Sequence, residues 1–278
     1  MGIRYGNRGE RPLKVGLAGL GTIGIVVARA LDKGIHGLEL IGVTVRDAEK
    51  AARNMKDFRN PAPIISAQEL AETSDIIVEC VPKEAFREIA DPALNAGRLL
   101  VTVSGAGILA NPDVVDLAKE NGAQIILATG ALLGLDAVRA AAEGTINEVR
   151  MITRKPPNAL IGAPHLVQND ISVEGLNEPK KVFEGSAREG AMGFPANVNV
   201  AAALGLAGVG PDDTKLEIWA DPSLDRNTHT IKVDADSARF ELTIENVQSP
   251  ENPGTGKITA LSVIACLRGL STPLKVGS

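Results

Sequence analysis

An α/β fold is predicted for this 278-residue chain: a doubly wound parallel sheet, followed by a second α+β domain carrying a mostly antiparallel sheet. Three features predict it. Short apolar runs alternate with helix-period segments as far as Ala142, glycines mark the junctions between them, and from Asn147 the texture changes to apolar–polar alternation. The aromatic fraction of 3% leaves Ala, Val, Ile and Leu to build the core, a composition that suits helices layered on a parallel sheet.

The first element organises the rest. An apolar run from Leu13 ends in Gly19-Leu20-Gly21-Thr22-Ile23-Gly24, after which Ile25, Val26, Ala28, Ala30 and Leu31 keep the spacing of a buried helix face. This is a strand, a glycine turn and a helix. Gly19 permits the tight turn, Gly21 lets the backbone approach a pyrophosphate, and Gly24 lets the helix lie close on the strand. The N–H groups of the turn, those of Thr22 and Ile23 included, then face an anion at the positive end of the helix dipole. Gly-x-Gly-x-x-Gly alone is weak evidence in a chain with 29 glycines, but here the flanking context is the one a dinucleotide site of the Rossmann type demands.

The next strand, Glu39 to Val45, ends where the adenosine ribose is read. A carboxylate there takes the 2′-hydroxyl and an arginine accommodates a 2′-phosphate. Val45, Arg46 and Asp47 occupy the turn, so both NAD and NADP remain open, with Arg46 as the candidate contact. Pro63 to Ser66 is a short strand, and Ser66 with Glu69 forms a capping box. Asp75 to Val81 is a buried strand that places Cys80, Val81 and Pro82 at the cofactor crevice. Leu99 to Ser104 follows, with Ser104 and the small residues after it as walls of the nicotinamide half. Asn111 caps a helix with Pro112 in its first turn, and Gln124 to Thr129 closes a series of six strands.

In the second half, Val149 to Lys155, Lys180 to Gly185, Leu216 to Ala220, Thr230 to Asp234 and Arg239 to Val247 alternate as half-buried strands do. Helices are expected at about Val198 to Ala207 and Thr255 to Leu270. The domain boundaries that result are a flexible leader over 1–12, a dinucleotide-binding domain over 13–130, and a substrate and dimerisation domain over 131–252. A terminal helix, 253–270, returns to the first domain.

Composition narrows the function. A net charge of −5 argues against nucleic acid and anionic membranes and in favour of a small-molecule substrate. The leader has no apolar core and no apolar run is long enough to span a bilayer, so a cytoplasmic protein is expected. Cys80 and Cys266 lack metal-ligand spacing, and no metal is expected. Of the three histidines, His36 sits in a polar turn and His165 at a helix start. His229 is the strongest proton carrier: it follows a polar loop into a strand, with Asn227 two residues before it on the same face. An Asn and a His so spaced can hold a carboxylate and move a proton beside it.

The segments GLGTIG, ATGALLGLDAVRAA, FPANVNVAAALGLAGVG, ADPSLDRNTHTIKV and NPGTGKITALSVIACL, in this order, resemble the L-aspartate dehydrogenase family over essentially the whole chain after Pro12. The resemblance implies an NAD(P)-dependent amino-acid dehydrogenase that acts as a homodimer on aspartate or on oxaloacetate and ammonia, with a possible place in making pyridine nucleotide. It implies His229 as the catalytic histidine, Asn227 as a contact to a substrate carboxylate, and Ala131 and Asn199 as cofactor contacts. The family's Asn-Pro-Lys-Thr-Ser segment is here Asn252-Pro253-Gly254-Thr255-Gly256, without that lysine and serine, and Lys257 is the nearest replacement. Three other readings stay open: a reductase of another small dicarboxylic or amino acid, a semialdehyde dehydrogenase using Cys80 as nucleophile, and a dinucleotide sensor without catalysis.

Overall fold

The computed structural model describes residues 11–194, 199–249 and 255–277. The leader up to residue 10 and Asn252-Pro253-Gly254 lie outside them; Arg11 is described, and it pairs with Asp75 at 2.8 Å. The chain forms two compact units, one running to Ala128 and including Thr259–Val276, the other spanning Thr129–Ile258.

In chain order the first unit comprises β1 (Leu13–Ala18), α1 (Gly24–Lys33), β2 (Leu38–Thr44), α2 (Ala48–Asn54), α3 (Ala67–Thr73), β3 (Ile76–Glu79), α4 (Phe86–Asn95), β4 (Leu99–Thr102), α5 (Gly105–Ala110), α6 (Asp113–Glu120) and β5 (Gln124–Leu127). All four strand pairings are parallel, in the order β2-β1-β3-β4-β5. The strand expected at Pro63 to Ser66 is reduced to one parallel bridge, Ile64 to Val43, because Pro61 and Pro63 have no N–H to give to a ladder. Counting that bridge as a strand restores six positions in the order 3-2-1-4-5-6, the doubly wound arrangement in which ligands meet the strands' carboxyl ends.

The strands are apolar on both faces because helices cover both. One core layer contains Val15, Leu17, Val27, Leu31, Val78 and Val101, and Val263 and Leu267 join it. The opposite layer is built from Leu70, Ile77, Phe86, Leu94, Leu100 and Val114. Two caps differ from expectation. The Ser66 hydroxyl accepts from the Glu69 N–H as predicted, but a full reciprocal box is formed at Ser186 and Glu189 instead. Asn111 does not cap the helix after it, since its side-chain amide donates back to the Gly107 carbonyl at 2.9 Å and closes α5.

The second unit continues with α7 (Leu135–Ala142), β6 (Ile146–Lys155), α8 (Pro164–Gln168), β7 (Lys180–Ser186), α9 (Ala187–Gly193), α10 (Asn199–Ala207), β8 (Lys215–Ala220), β9 (Asn227–Ala235) and β10 (Arg239–Asn246). The last helix, α11 (Lys257–Ser271), supplies the Val263 and Leu267 of the first unit's core. The second sheet runs β10-β9-β6-β8-β7 and is antiparallel at every pairing except β6 with β8. Among the described residues no helix is long and apolar enough to cross a membrane.

Candidate active site

The glycine turn of the first unit is shaped by close approach. Gly19 has φ +88°, and a Cβ there would meet the Cys80 carbonyl oxygen at 2.7 Å; one on Gly24 would lie 1.9 Å from the Gly19 carbonyl oxygen. A Cβ on Gly21 would meet nothing within 4 Å, so that backbone faces open space. The first turn of α1 has no acidic residue and no side-chain cap, with Thr22 and Ile23 half-buried beside it. Such an uncapped helix start behind a glycine turn fits the pyrophosphate of NAD or NADP.

Around this turn the remaining predicted contacts divide. Asp47 is already engaged as the cap of α2, where its carboxylate accepts from the Lys50 N–H at 2.9 Å. Arg46 is exposed and reaches Glu88 only at 3.9 Å, a pair too solvated to hold it firmly. Cys80, Val81 and Pro82 leave the carboxyl end of β3, with Cys80 half-buried. Burial, with the neighbouring Glu79 carboxyl second, pushes the Cys80 thiol well above the usual range, so it is a poor nucleophile. Ser104 is buried and begins α5 rather than a loop.

Glu79 is a feature that reading the sequence missed. It is fully buried at the end of β3, where its carboxyl accepts from the Val81 N–H at 2.8 Å and from the Thr102 hydroxyl, and the Ser104 hydroxyl also bonds to it. Thr102 in turn accepts from the Ser104 N–H at 2.8 Å. One side chain therefore pins the two loops that follow β3 and β4. Desolvation raises its pKa, opposed by these hydrogen bonds. Glu79→Ala is expected to cost about 1–3 kcal/mol for each polar group it orphans. Glu79→Gln should recover most of that, and urea unfolding of the two variants checks the difference. The signal in the sequence was a carboxylate inside the apolar run that follows Asp75.

In the second unit, register brings the chemistry together. Across one sheet face, Leu242, Ile231, Met151 and Leu216 form an apolar row, and Ile244, His229, Thr153 and Ile218 form the next. The following inward positions are Asn246, Asn227, Lys155 and Ala220. The polar residues are thus gathered at one end of an apolar face. His229, Asn227, Asn246 and Lys155 are each less than 5% exposed. The Thr153 hydroxyl meets His229 Nδ1 at 3.1 Å and so fixes the ring. Burial first, then the Lys155 charge, lowers the His229 pKa to about 3, which leaves the imidazole neutral at pH 7.

Asn246, also missed, donates from its amide to the Ala131 carbonyl at 3.0 Å, while its own carbonyl oxygen has no partner among the described residues. The Asn227 carbonyl oxygen is likewise buried and unpartnered among the described residues. Two such acceptors side by side are costly unless something else satisfies them. Ala131 lies half-buried in the turn before α7, and Asn199 is exposed as the first residue of α10. His165 is held in an aromatic cluster, edge-on to Phe183 at 5.2 Å and beside Phe194, and His36 is exposed in a turn. Lys257 is exposed, and its N–H closes the return of the chain by bonding the Val247 carbonyl.

Comparison with known proteins gives two family matches. Residues 19–128 match the family described as homoserine dehydrogenase, NAD binding domain, and residues 136–270 match aspartate dehydrogenase, C-terminal. The chain is 54% identical to an L-aspartate dehydrogenase of Bradyrhizobium diazoefficiens, over 96% of this chain and 94% of that protein. It is 47% identical to L-aspartate dehydrogenase 3 of Bordetella bronchiseptica, over 96% and 98%. A crystal structure of aspartate dehydrogenase from Thermotoga maritima superposes with a TM-score of 0.74 at 25% identity, over 95% of this chain and 99% of that one. With relatives this similar along nearly its whole length, a nucleotide-binding first unit and a histidine-bearing second sheet, the chain belongs to the L-aspartate dehydrogenase family.

Proposed function

We propose that this protein catalyses the reversible NAD(P)-dependent oxidation of L-aspartate to iminosuccinate, which water converts to oxaloacetate and ammonia. The observation that carries the reading is the pairing of His229 and Asn227 at the polar end of an otherwise apolar sheet face. The names of the relatives supply the substrate.

When bound, the nicotinamide supplies the hydride acceptor for the amine-bearing carbon. The chain's own residues do the rest. The N–H groups of Gly21, Thr22, Ile23 and Gly24 hold the pyrophosphate, with Gly19 shaping the turn. Arg46, a cation at the end of β2, takes a 2′-phosphate when the cofactor is NADP. Cys80, Val81, Pro82 and Ser104 border the nicotinamide half, and Ala131 and Asn199 orient it. Neutral His229 takes a proton from the water that attacks the imine carbon and returns it in the reverse direction. Asn227 donates from its amide to a substrate carboxylate beside it and so fixes the reacting carbon.

A homodimer assembled on the outer face of the second sheet, a cytoplasmic location, and a supply of iminosuccinate for pyridine nucleotide synthesis complete the proposal. The test is oxidation of NADH and of NADPH with oxaloacetate plus ammonium, run beside pyruvate and 2-oxoglutarate. Ammonium-dependent turnover with oxaloacetate is expected, and its absence with both cofactors overturns the substrate assignment.

A further inference from the structure

The polar end of the second sheet holds one residue to which neither the Asn-x-His pattern nor the family resemblance gives a role. Lys155 is the last residue of β6 and only 3% exposed. It is the inward position after Thr153, whose hydroxyl holds the His229 ring, and β6 lies directly beside β9. Every inward position before Thr153 on β6, and after His229 on β9, is apolar until the strands' far ends. Burial at this position carries a desolvation penalty for the ammonium, and no other lysine or arginine occupies an inward position of β6 or β9. At the same end of the sheet, β9 and β10 present Asn227 opposite Asn246, whose side-chain carbonyl oxygens are buried and unpartnered among the described residues. These oxygens are acceptors suited to an amine or to water, whereas a carboxylate needs a donor, and Lys155 supplies a charged one beside the amide N–H of Asn227.

We propose that the Lys155 ammonium binds a carboxylate of the substrate, so that a dicarboxylate is anchored at this end of the sheet with its amine-bearing carbon toward Asn227 and His229. The inference rests on the aspartate dehydrogenase reading and deepens it by naming the residue that selects substrate charge. The electrostatics agree. Desolvation lowers the Lys155 pKa to about 8, so the group is still mostly cationic at pH 7. Its charge is also a cause of the low proton affinity of His229. A carboxylate paired with Lys155 offsets that field and makes the imidazole a stronger base when substrate is present.

The experiment uses Lys155→Met, which keeps the length and removes the charge. Succinate, a dicarboxylate without a reactive carbon, is titrated calorimetrically into the NADH-loaded protein, and KM and kcat are measured with oxaloacetate and ammonium. Loss of a charge-assisted hydrogen bond predicts succinate affinity lowered about 10- to 100-fold. The oxaloacetate KM should rise to match, with a smaller change in kcat and unaltered NADH affinity. Should the Met variant fail to fold, Lys155→Gln carries the same measurements. Wild-type succinate affinity in the folded variant overturns the proposal. An unmodified protein that binds succinate through Lys155 yet shows no oxaloacetate turnover sinks the aspartate assignment instead, so the two failures are separable.

Discussion

Replacing His229 by alanine is expected to lower kcat by about 100- to 10,000-fold, the usual contribution of a positioned acid or base. NADH affinity should be unchanged, because the side chain belongs to the second sheet and the glycine turn to the first. The same residue governs acid stability. Its folded pKa, near 3, lies below the unfolded value of about 6.5. A neutral buried imidazole therefore contributes stability that is complete above about pH 6.5 and is lost as pH falls toward 3, since the unfolded chain binds the proton more readily. His229→Asn removes that proton site, and its acid-unfolding midpoint, followed by circular dichroism, should move to lower pH. Turnover close to wild type in His229→Ala would exclude the imidazole from the mechanism.

Gly24→Ala is expected to damage both folding and cofactor binding, whereas Gly21→Ala should damage binding alone. At Gly24 the added methyl would stand 1.9 Å from a carbonyl oxygen of the chain's own backbone, so the turn must open. Overpacking of this kind costs about 1–3 kcal/mol. If that cost falls on the binding geometry, it amounts to about 10- to 100-fold in NADH affinity. At Gly21 the methyl meets nothing in the protein, so the melting temperature should hold. The methyl would instead occupy the approach of the pyrophosphate and weaken binding. Melting curves and NADH fluorescence titrations separate the two variants, and full affinity in Gly21→Ala would show that the anion lies elsewhere.

How far the sequence spoke depended on the distance over which each signal is written. The glycine turn is legible because every residue it needs lies within one short segment, and the alternation of β6, β9 and β10 is legible for the same reason. The helix cap assigned to Asn111 failed because the side chain had two backbone groups within reach and took the Gly107 carbonyl. The strand at Ile64 shrank to a bridge for want of N–H groups. Glu79, Lys155 and Asn246 were overlooked for a different reason. Their meaning arises from register: Glu79 from its pairing with Thr102, Asn246 from lying opposite Asn227, and Lys155 from lying one inward step beyond Thr153. A polar residue at the inward phase of an otherwise apolar strand was the available clue in each case. The Asn227 and His229 pairing was visible because it needs only the period of a single strand.

The polar cluster is carried chiefly by β6 and β9, each of which has a paired strand on either side. Backbone in that position exchanges its amide protons only when the surrounding sheet comes apart, so its opening energy approaches that of the whole unit. Fluctuations that admit a reactant or let a product go are thereby confined to the connecting segments. In the proposed mechanism His229 and Asn227 would therefore meet each new molecule already in place, with no energy spent on assembling them.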